Sequence, residues 1–225
     1  MKIGIFGGTF DPVHNGHLAI AEEVRSALNL DRVLLIPSYR PPHKSKEVTP
    51  ALHRLAMVRL AVEGHPGLEA SDLEVVRRGK SYTIDTVREL EGRYPPQTPL
   101  HLIMGLDALL EFSSWREPKD LAERCDLVAV FRPGSRFIDL REAGLPCAPD
   151  PRALEELDAG RRSKYELPMT SRTQLILLRV ATHEDSATKI RSVLSSGASL
   201  KNLLPAPVES YIMQNNLYGR ETHSS

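Results

Sequence analysis

The sequence predicts an α/β protein, a doubly wound parallel sheet followed by C-terminal helices. Short apolar runs of strand length alternate with segments whose apolar residues recur three or four positions apart, as in helices. This alternation is typical of a parallel sheet with helices on both faces. The chain has 225 residues, 41% of them hydrophobic, which is enough to bury such a core and excludes a disordered chain.

The N-terminal segment predicts a strand, a tight turn and a helix. Residues 2–6 are an apolar run that ends at Gly7 and Gly8. Residues 15–28 then carry apolar side chains at helical spacing. Ligands in doubly wound folds bind at the carboxyl ends of the strands, so this turn is the first candidate site.

The next segment predicts a second strand, a loop and a helix. Residues 32–37 form an apolar run closed by a proline, and a polar, proline-rich loop follows over 38–48. A helix is expected next, with Thr49 as its cap, Pro50 in its first turn and Gly64 at its end.

Five further segments continue the alternation. Residues 69–77 are strand-like, 83–94 helical, 100–104 strand-like, 119–125 helical and 126–131 strand-like. Together they predict three more strands separated by helices.

The C-terminal part has a weaker pattern at first. We interpret residues 136–172 as surface helix and loop, and 173–180 as the last strand. Ser186 is expected to cap a helix that ends before Gly197, and residues 203–218 predict a closing helix.

We expect a single domain over residues 1–225, because no low-complexity linker or internal repeat divides the chain. Residues 1–132 would form the main α/β sheet. Residues 133–225 would add the final strand and the C-terminal helices.

Charge and cysteine content exclude several classes of protein. Lys+Arg and Asp+Glu both number 29, so the chain lacks the net charge that non-specific binding to nucleic acid or an anionic membrane needs. No apolar run is long enough to span a membrane, and no leader peptide is evident. Two cysteines, Cys125 and Cys147, are too few for a disulfide scaffold. We therefore expect a cytoplasmic protein with no nucleic-acid or membrane partner.

The richest stretch for chemistry lies at the first strand–helix turn and contains Gly7, Gly8, His14, Gly16 and His17. Glycines let backbone N–H groups approach an anion, and the N-terminus of a helix favours negative charge. The two histidines are three positions apart, so they project from one face of the helix. This pattern predicts a phosphate site, although a structural histidine pair remains an alternative.

Other interpretations of these residues fit less well. Two histidines without a third ligand argue against zinc. The glycine spacing does not match the G-x-G-x-x-G dinucleotide motif. Gly79, Lys80 and Ser81 resemble the end of a Walker A loop, but Glu74 occupies the position of that motif's first glycine.

Several further segments accompany the histidine motif. The set is GGTFDPVHNGH from residue 7, IPS from 36, PPHK from 41, SYT from 81, GLD from 105, Phe112 and Trp115, SATKIR from 186, LLP from 203 and the ending Tyr218-Gly219. By these segments the sequence resembles the nucleotidyltransferases of the HxGH superfamily, and within it the nicotinate-nucleotide adenylyltransferases. The resemblance covers nearly the whole chain.

The resemblance implies a Rossmann-like nucleotidyltransferase fold and a set of nucleotide contacts. His14, His17 and Arg191 would be catalytic groups on the ATP phosphates. The remaining ATP-binding residues implied by it are Gly7, Gly8, Thr9, Phe10, Gly16, Gly105, Asp107, Ser186 and Thr188. From the residues alone, Asp107 could equally be a helix N-cap, and Ser186 to Arg191 an ordinary capped helix.

The resemblance also implies the acceptor and the reaction. Nicotinate mononucleotide would be bound by Lys44, Thr83 and Trp115, with the indole as a stacking face, and Phe131 and Arg132 would border the adenine. Its phosphate would attack ATP in line, giving deamido-NAD and pyrophosphate. The phosphate is already ionised at neutral pH, so no general base is required. Mg²⁺ is expected on the triphosphate, held mainly by phosphate oxygens and water.

Alternatives stay open at this point. Class I aminoacyl-tRNA synthetases share the histidine motif, but they need tRNA-binding appendages and basic surface. A nucleotide sensor of the same fold would bind ATP without turnover. Nicotinamide mononucleotide or phosphopantetheine could replace the acceptor, although the segments around Thr83 and Trp115 disfavour the latter. The sequence leaves open whether the chain forms a homo-oligomer.

Overall fold

A computed structural model describes residues 1–41, 48–131, 134–181, 186–196, 200 and 202–219. Within them lies one seven-stranded sheet with the strand order β3-β2-β1-β4-β5-β7-β6. The strands are β1 Ile3–Gly8, β2 Arg32–Pro37, β3 Leu68–Ala70, β4 Leu100–Gly105, β5 Asp126–Val130, β6 Lys164–Pro168 and β7 Gln174–Leu178. Neighbouring strands are parallel except β6, which is antiparallel to β7. The predicted doubly wound parallel sheet is confirmed.

Helices connect the strands and close the chain. They are α1 Asn15–Ala27, α2 Ala51–Val62, α3 Leu73–Arg77, α4 Thr83–Arg93, α5 Leu106–Leu110, α6 Pro118–Arg124, α7 Pro151–Asp158, α8 Ala187–Ser196 and α9 Ala206–Gln214. Short 3₁₀ helices lie at Phe112–Ser114 and Phe137–Glu142.

Two hydrophobic cores lie on opposite faces of the sheet. Successive strand residues point to opposite faces, so Ile5 of β1 belongs to one core and Phe6 to the other. The first core is completed by buried residues of α3 to α7, and the second by α1, α2, α8 and α9. Each fully buried Leu or Ile contributes about 1.5–3 kcal/mol to folding, so both layers are strongly held.

The strand order reverses between β1 and β4, which lie side by side in the middle of the sheet. Residues 9–14 follow β1, and Leu106 starts α5 directly after β4. In doubly wound folds the crevice at this switch point is where ligands bind. The fold therefore puts the histidine motif in the position expected for a ligand site.

Two segments, 69–77 and 136–172, have a secondary structure that differs from the predicted one. Residues 69–77 were expected to form one strand, but β3 ends at Ala70 and α3 follows. The Ser71 hydroxyl accepts a hydrogen bond from Leu73 N–H at 3.4 Å, which begins a turn there. The expected surface segment 136–172 contains a strand, β6, so the C-terminal part adds two strands rather than one.

Helix ends also differ from expectation. Thr49 does not cap α2; Pro50 occupies the N-cap position, and no side chain caps this helix. Gly64 lies just past its end at φ +80, as glycine after a helix commonly does. The closing helix is α9, shorter than the expected 203–218, because Pro205 stands at its N-cap and Asn215 at its C-cap.

No helix within the described residues is long and apolar enough to cross a membrane.

Candidate active site

The turn after β1 is tightly packed around Phe10. This residue has a left-handed backbone, φ 48, and its ring is buried. A Cβ atom at Gly8 would lie 3.0 Å from that ring, so a larger residue there would displace it. At Gly7 a Cβ would meet nothing within 4 Å, and this residue is exposed. The turn therefore leaves the backbone of Gly7 exposed, while the buried Phe10 ring fills the space next to Gly8.

His14 and His17 stack against each other at the start of α1. Their ring centroids are 3.6 Å apart, and the ring planes are inclined by 30°. His14 is the N-cap residue, and the His17 Nδ1 atom accepts a hydrogen bond from His14 N–H at 3.2 Å. The prediction that both rings lie on one face is confirmed.

The same hydrogen bond determines the tautomer of His17. Because Nδ1 accepts a hydrogen bond from the backbone, the neutral ring carries its proton on Nε2, which is then the donor atom. The His17 ring is also packed edge-on against Phe10, with centroids 5.0 Å apart, and against Phe6 at 6.0 Å. These contacts hold the ring in one orientation.

Helix α8 meets the first turn through Arg191. Its guanidinium donates to the Asp11 carbonyl oxygen at 2.6 Å and to the Thr188 hydroxyl at 3.3 Å. The Ser186 hydroxyl accepts from Lys189 N–H at 3.2 Å, which confirms Ser186 as a cap of this helix. The structure therefore brings the two predicted phosphate motifs together, although they are about 175 residues apart in the chain.

The side chain of Asp11 is bound from the C-terminal segment. Tyr218 donates its phenol proton to Asp11 Oδ1 at 2.6 Å, and Asp11 is buried. Burial, together with this bond, raises the pKa of the Tyr218 phenol, so it stays protonated as the donor. Asp11 in the first turn is thus hydrogen-bonded both to Arg191 of α8 and to Tyr218 of the C-terminal segment.

A buried arginine that the sequence analysis did not select lies beneath the turn. Arg54 of α2 is only 1% exposed and donates to the carbonyl oxygens of Thr9, Tyr39 and Thr49. Burial lowers the pKa of its guanidinium, and the charge of Asp11 opposes that shift. The signal was available in the sequence, since Arg54 falls on the apolar face of α2 between Ala51 and Val58.

Hydrogen bonds join the end of β2 to the loop before α4, and the residues that make them are not among the predicted site residues. Ser38 N–H donates to Gly8 O at 2.9 Å, and its buried hydroxyl has no hydrogen-bond partner among the described residues. Tyr39 N–H donates to the Ser81 hydroxyl at 2.9 Å. The Arg40 carbonyl accepts from Ser81 N–H at 3.1 Å, so the two segments run side by side.

Thr83 and Trp115 lie at the same end of the sheet. Thr83 is the first residue of α4, and Trp115 is half-buried and packs against Phe112, with ring centroids 5.7 Å apart. Their chain neighbours are in contact, because the Arg116 guanidinium lies 4.6 Å above the Tyr82 ring. The structure thus places the two segments next to each other, and the binding of a pyridine ring by Thr83 and Trp115 stays a prediction.

The structure describes some of the remaining predicted residues but not all of them. Gly105 is the N-cap of α5 and Asp107 lies exposed in its first turn, so Asp107 is not the helix cap. Gly16 is buried in the first turn of α1. The Arg179 guanidinium lies 4.8 Å from the centroid of the Phe131 ring.

Two predicted residues, Lys44 and Arg132, lie outside the described residues. Among the described residues, no group of three His, Cys, Asp or Glu side chains is arranged to hold a metal ion.

Comparisons with known proteins agree with this arrangement. The model of the Cytidylyltransferase-like family matches residues 5–193. A protein of Citrifermentans bemidjiense named "Probable nicotinate-nucleotide adenylyltransferase" is 43% identical over 226 residues, which cover 97% of this chain and 98% of that protein. A protein of the same name from Symbiobacterium thermophilum is 39% identical over 224 residues, covering 99% and 98%.

Solved structures show the same fold. The Plasmodium falciparum nicotinic acid mononucleotide adenylyltransferase complexed with NaAD matches with a TM-score of 0.70 at 16% identity. The match covers 96% of this chain and 97% of that chain.

Proposed function

This chain belongs to the cytidylyltransferase-like family, among its nicotinate-nucleotide adenylyltransferases, and we propose that it transfers the adenylyl group of ATP to nicotinate mononucleotide. The products are deamido-NAD, an intermediate of NAD biosynthesis, and pyrophosphate. The observation that carries this proposal is the 2.6 Å bond from Arg191 to Asp11 O, because it joins the segment of the histidine motif to the start of α8 near the switch point of the sheet, where a ligand is expected.

The proposed chemistry is a direct in-line displacement. An oxygen of the acceptor's 5′-phosphate attacks the α-phosphorus of ATP, the bond from that phosphorus to the bridging oxygen breaks, and pyrophosphate leaves. A phosphate monoester has a second pKa near 6, so the nucleophile is already ionised and needs no base. The protein then contributes positioning and charge stabilisation.

The donors of the site suit a polyphosphate. His17 is held with Nε2 as its donor atom, Arg191 carries a permanent charge, and the exposed Ser186 and Thr188 lie at the start of α8. As charge moves onto the leaving pyrophosphate, these fixed donors stabilise it without reorganising.

Mg²⁺ fits this donor set as a companion of the nucleotide. The groups that line the site are mainly hydrogen-bond donors, and the buried Asp11 carboxylate is already bound by Tyr218. We therefore propose that phosphate oxygens and water hold the ion. When bound, it neutralises charge on the triphosphate.

For the acceptor, we propose that Trp115 provides the face on which the pyridine ring stacks and that Thr83 borders that ring. Lys44 stays a prediction for the acceptor phosphate. A cytoplasmic location is proposed as well, supported by Cys125 and Cys147, which are both free thiols.

The test is turnover of purified protein with ATP, Mg²⁺ and either nicotinate or nicotinamide mononucleotide. We expect pyrophosphate and the dinucleotide to appear in equal amounts, with the higher kcat/KM for the nicotinate form. Absence of turnover with both acceptors would refute the function. Because Trp115 is the single Trp of the chain, quenching of its fluorescence by nicotinate mononucleotide gives an independent binding readout.

A further inference from the structure

Arg54 joins three segments that lie apart in the sequence. Its Nη1 donates to Thr9 O at 2.7 Å, its Nε to Thr49 O at 2.7 Å and its Nη2 to Tyr39 O at 3.3 Å. With 1% of the residue exposed, the guanidinium is covered by the protein. It therefore acts through the backbone it holds and does not touch a ligand.

Two of these carbonyls belong to opposite sides of the proposed site. Thr9 lies in the turn proposed to bind ATP. Tyr39 follows the end of β2, and its N–H donates to the hydroxyl of Ser81, two residues before Thr83. One planar group thus connects the ATP side of the site with the acceptor side.

Burying a guanidinium costs more free energy than burying an apolar side chain of similar size. Removing its charge from water costs several kcal/mol, and apolar side chains of similar size would stabilise a helix face at least as well. What the guanidinium offers instead is a rigid fork with donors in a fixed geometry, which sets the distance between the oxygens it binds.

We propose that Arg54 is a positioning residue that sets the spacing between ATP and the acceptor mononucleotide by holding the Thr9 and Tyr39 carbonyls on one guanidinium. The inference rests on the proposed function, since it concerns transfer between those two substrates. In-line transfer requires the attacking oxygen to be held close to the phosphorus, and a shift of about 1 Å can cost roughly 100-fold in rate.

The test compares Arg54→Lys and Arg54→Met with Arg59→Met as the matched control. Arg59 is on the outer face of the same helix, more than half exposed, and pairs with Asp72 at 3.2 Å. We expect kcat to fall roughly 100-fold in Arg54→Met and by a smaller factor in Arg54→Lys, which keeps the charge and a single donor nitrogen but not the planar fork. Arg59→Met is expected to keep the wild-type kcat.

Binding of each substrate alone is the second readout, measured by calorimetry with α,β-methylene ATP and, separately, with nicotinate mononucleotide. The direct ligands of each substrate are intact in the variants, so each Kd should stay within about threefold with one site per chain. A variant that is only poorly folded would instead lose binding stoichiometry.

Two results would overturn the inference: a folded Arg54→Met with kcat near wild type, or a fall in kcat matched by loss of binding sites. If Arg54→Met does not fold, Arg54→Lys is judged by the same two criteria. Failure of the proposed function would show in the wild type itself, as absent turnover with both pyridine mononucleotides.

Discussion

His17 accepts a hydrogen bond at Nδ1 from the backbone N–H of His14, over 3.2 Å. This one contact serves both folding and function. It satisfies a backbone donor at the start of α1 that the helix cannot bond internally, and it leaves Nε2 as the atom that donates. The two roles use different ring nitrogens and can therefore be separated by mutation.

His17→Asn is expected to keep the first role and lose the second. Asn places an acceptor near the Nδ1 position but has no group at the Nε2 position. We expect kcat/KM for ATP to fall about 100- to 1,000-fold, as for loss of one transition-state donor. The ring contacts of His17 are lost, but the hydrogen bond to His14 N–H is kept, so the loss of unfolding free energy in urea denaturation should be smaller than in His17→Ala.

His17→Ala is the matched comparison. It loses both nitrogens, so activity should fall as in His17→Asn while unfolding free energy drops by a further 1 kcal/mol or so, the usual cost of a lost cap. An active His17→Asn protein would contradict the role of Nε2. Equal stabilities of the two variants would contradict the role of Nδ1.

Arg191→Lys should weaken the link between α8 and the first turn. Lysine keeps the charge but cannot bond both Asp11 O and the Thr188 hydroxyl from one planar group. We expect kcat/KM for ATP to fall roughly 10- to 100-fold, because charge-assisted bonds are worth about 1.5–3 kcal/mol each.

The control for Arg191→Lys is the same change at Arg93, half-exposed at the end of α4 and paired with Glu89 at 2.6 Å. Arg93→Lys should retain wild-type steady-state kinetics. If both variants keep full activity, the contact from α8 to the first turn is not needed for ATP.

Elements whose sequence signal is local were predictable. β1 and β2 are apolar runs closed by glycine and proline, and β2 has the predicted bounds Arg32–Pro37. β6 was missed because an edge strand buries little: of its five residues only Leu167 is buried, so no apolar pattern marks it. The adjacent valines 75 and 76 favour a strand, but both lie in α3, where Val75 is buried and Val76 is exposed.

The candidate site likewise contains some residues that local sequence patterns predict and others that they do not. The histidine motif and the Ser186 cap are local patterns, and the sequence identified both. Arg54 and Asp11 act through partners far away in the chain, namely Thr9 and Tyr39 for Arg54 and Tyr218 for Asp11. A charged residue on an apolar helix face signals that a partner exists, but only the fold shows which carbonyls it meets.

Ser38 and Ser81 offer a pair of identical changes with different expected costs. The buried Ser38 hydroxyl has no hydrogen-bond partner in the part of the chain that the structure describes, so Ser38→Ala should leave the unfolding free energy within about 0.5 kcal/mol of wild type or raise it. The Ser81 hydroxyl accepts a hydrogen bond from Tyr39 N–H, so Ser81→Ala should cost about 1–3 kcal/mol.

Urea denaturation at neutral pH measures both variants, with the m-value checked for constancy. The expectation is contradicted if Ser38→Ala loses as much stability as Ser81→Ala, since the Ser38 hydroxyl would then have to be bonded in the folded protein.

His101 should make the fold less stable in mild acid. Its ring is buried in β4, with Nε2 3.2 Å from Asp126 Oδ2 on the neighbouring strand. Burial lowers the pKa of this imidazole, and Lys2 acts in the same direction, while the attraction of Asp126 only partly opposes them. The folded protein therefore binds this proton less readily than the unfolded chain does.

The sign of the effect follows from that difference. A histidine whose folded pKa is below its unfolded value, about 6.5, contributes stability that is fully present above that pH and is lost as the pH falls through the folded pKa. At pH 5.5 the loss can reach about 1.4 kcal/mol relative to pH 7.5. His101→Gln removes the titrating group, keeps a donor for Asp126, and should flatten this part of the pH profile. Unfolding free energies of both proteins at the two pH values provide the check, and an equal loss in wild type and variant would show that other groups cause it.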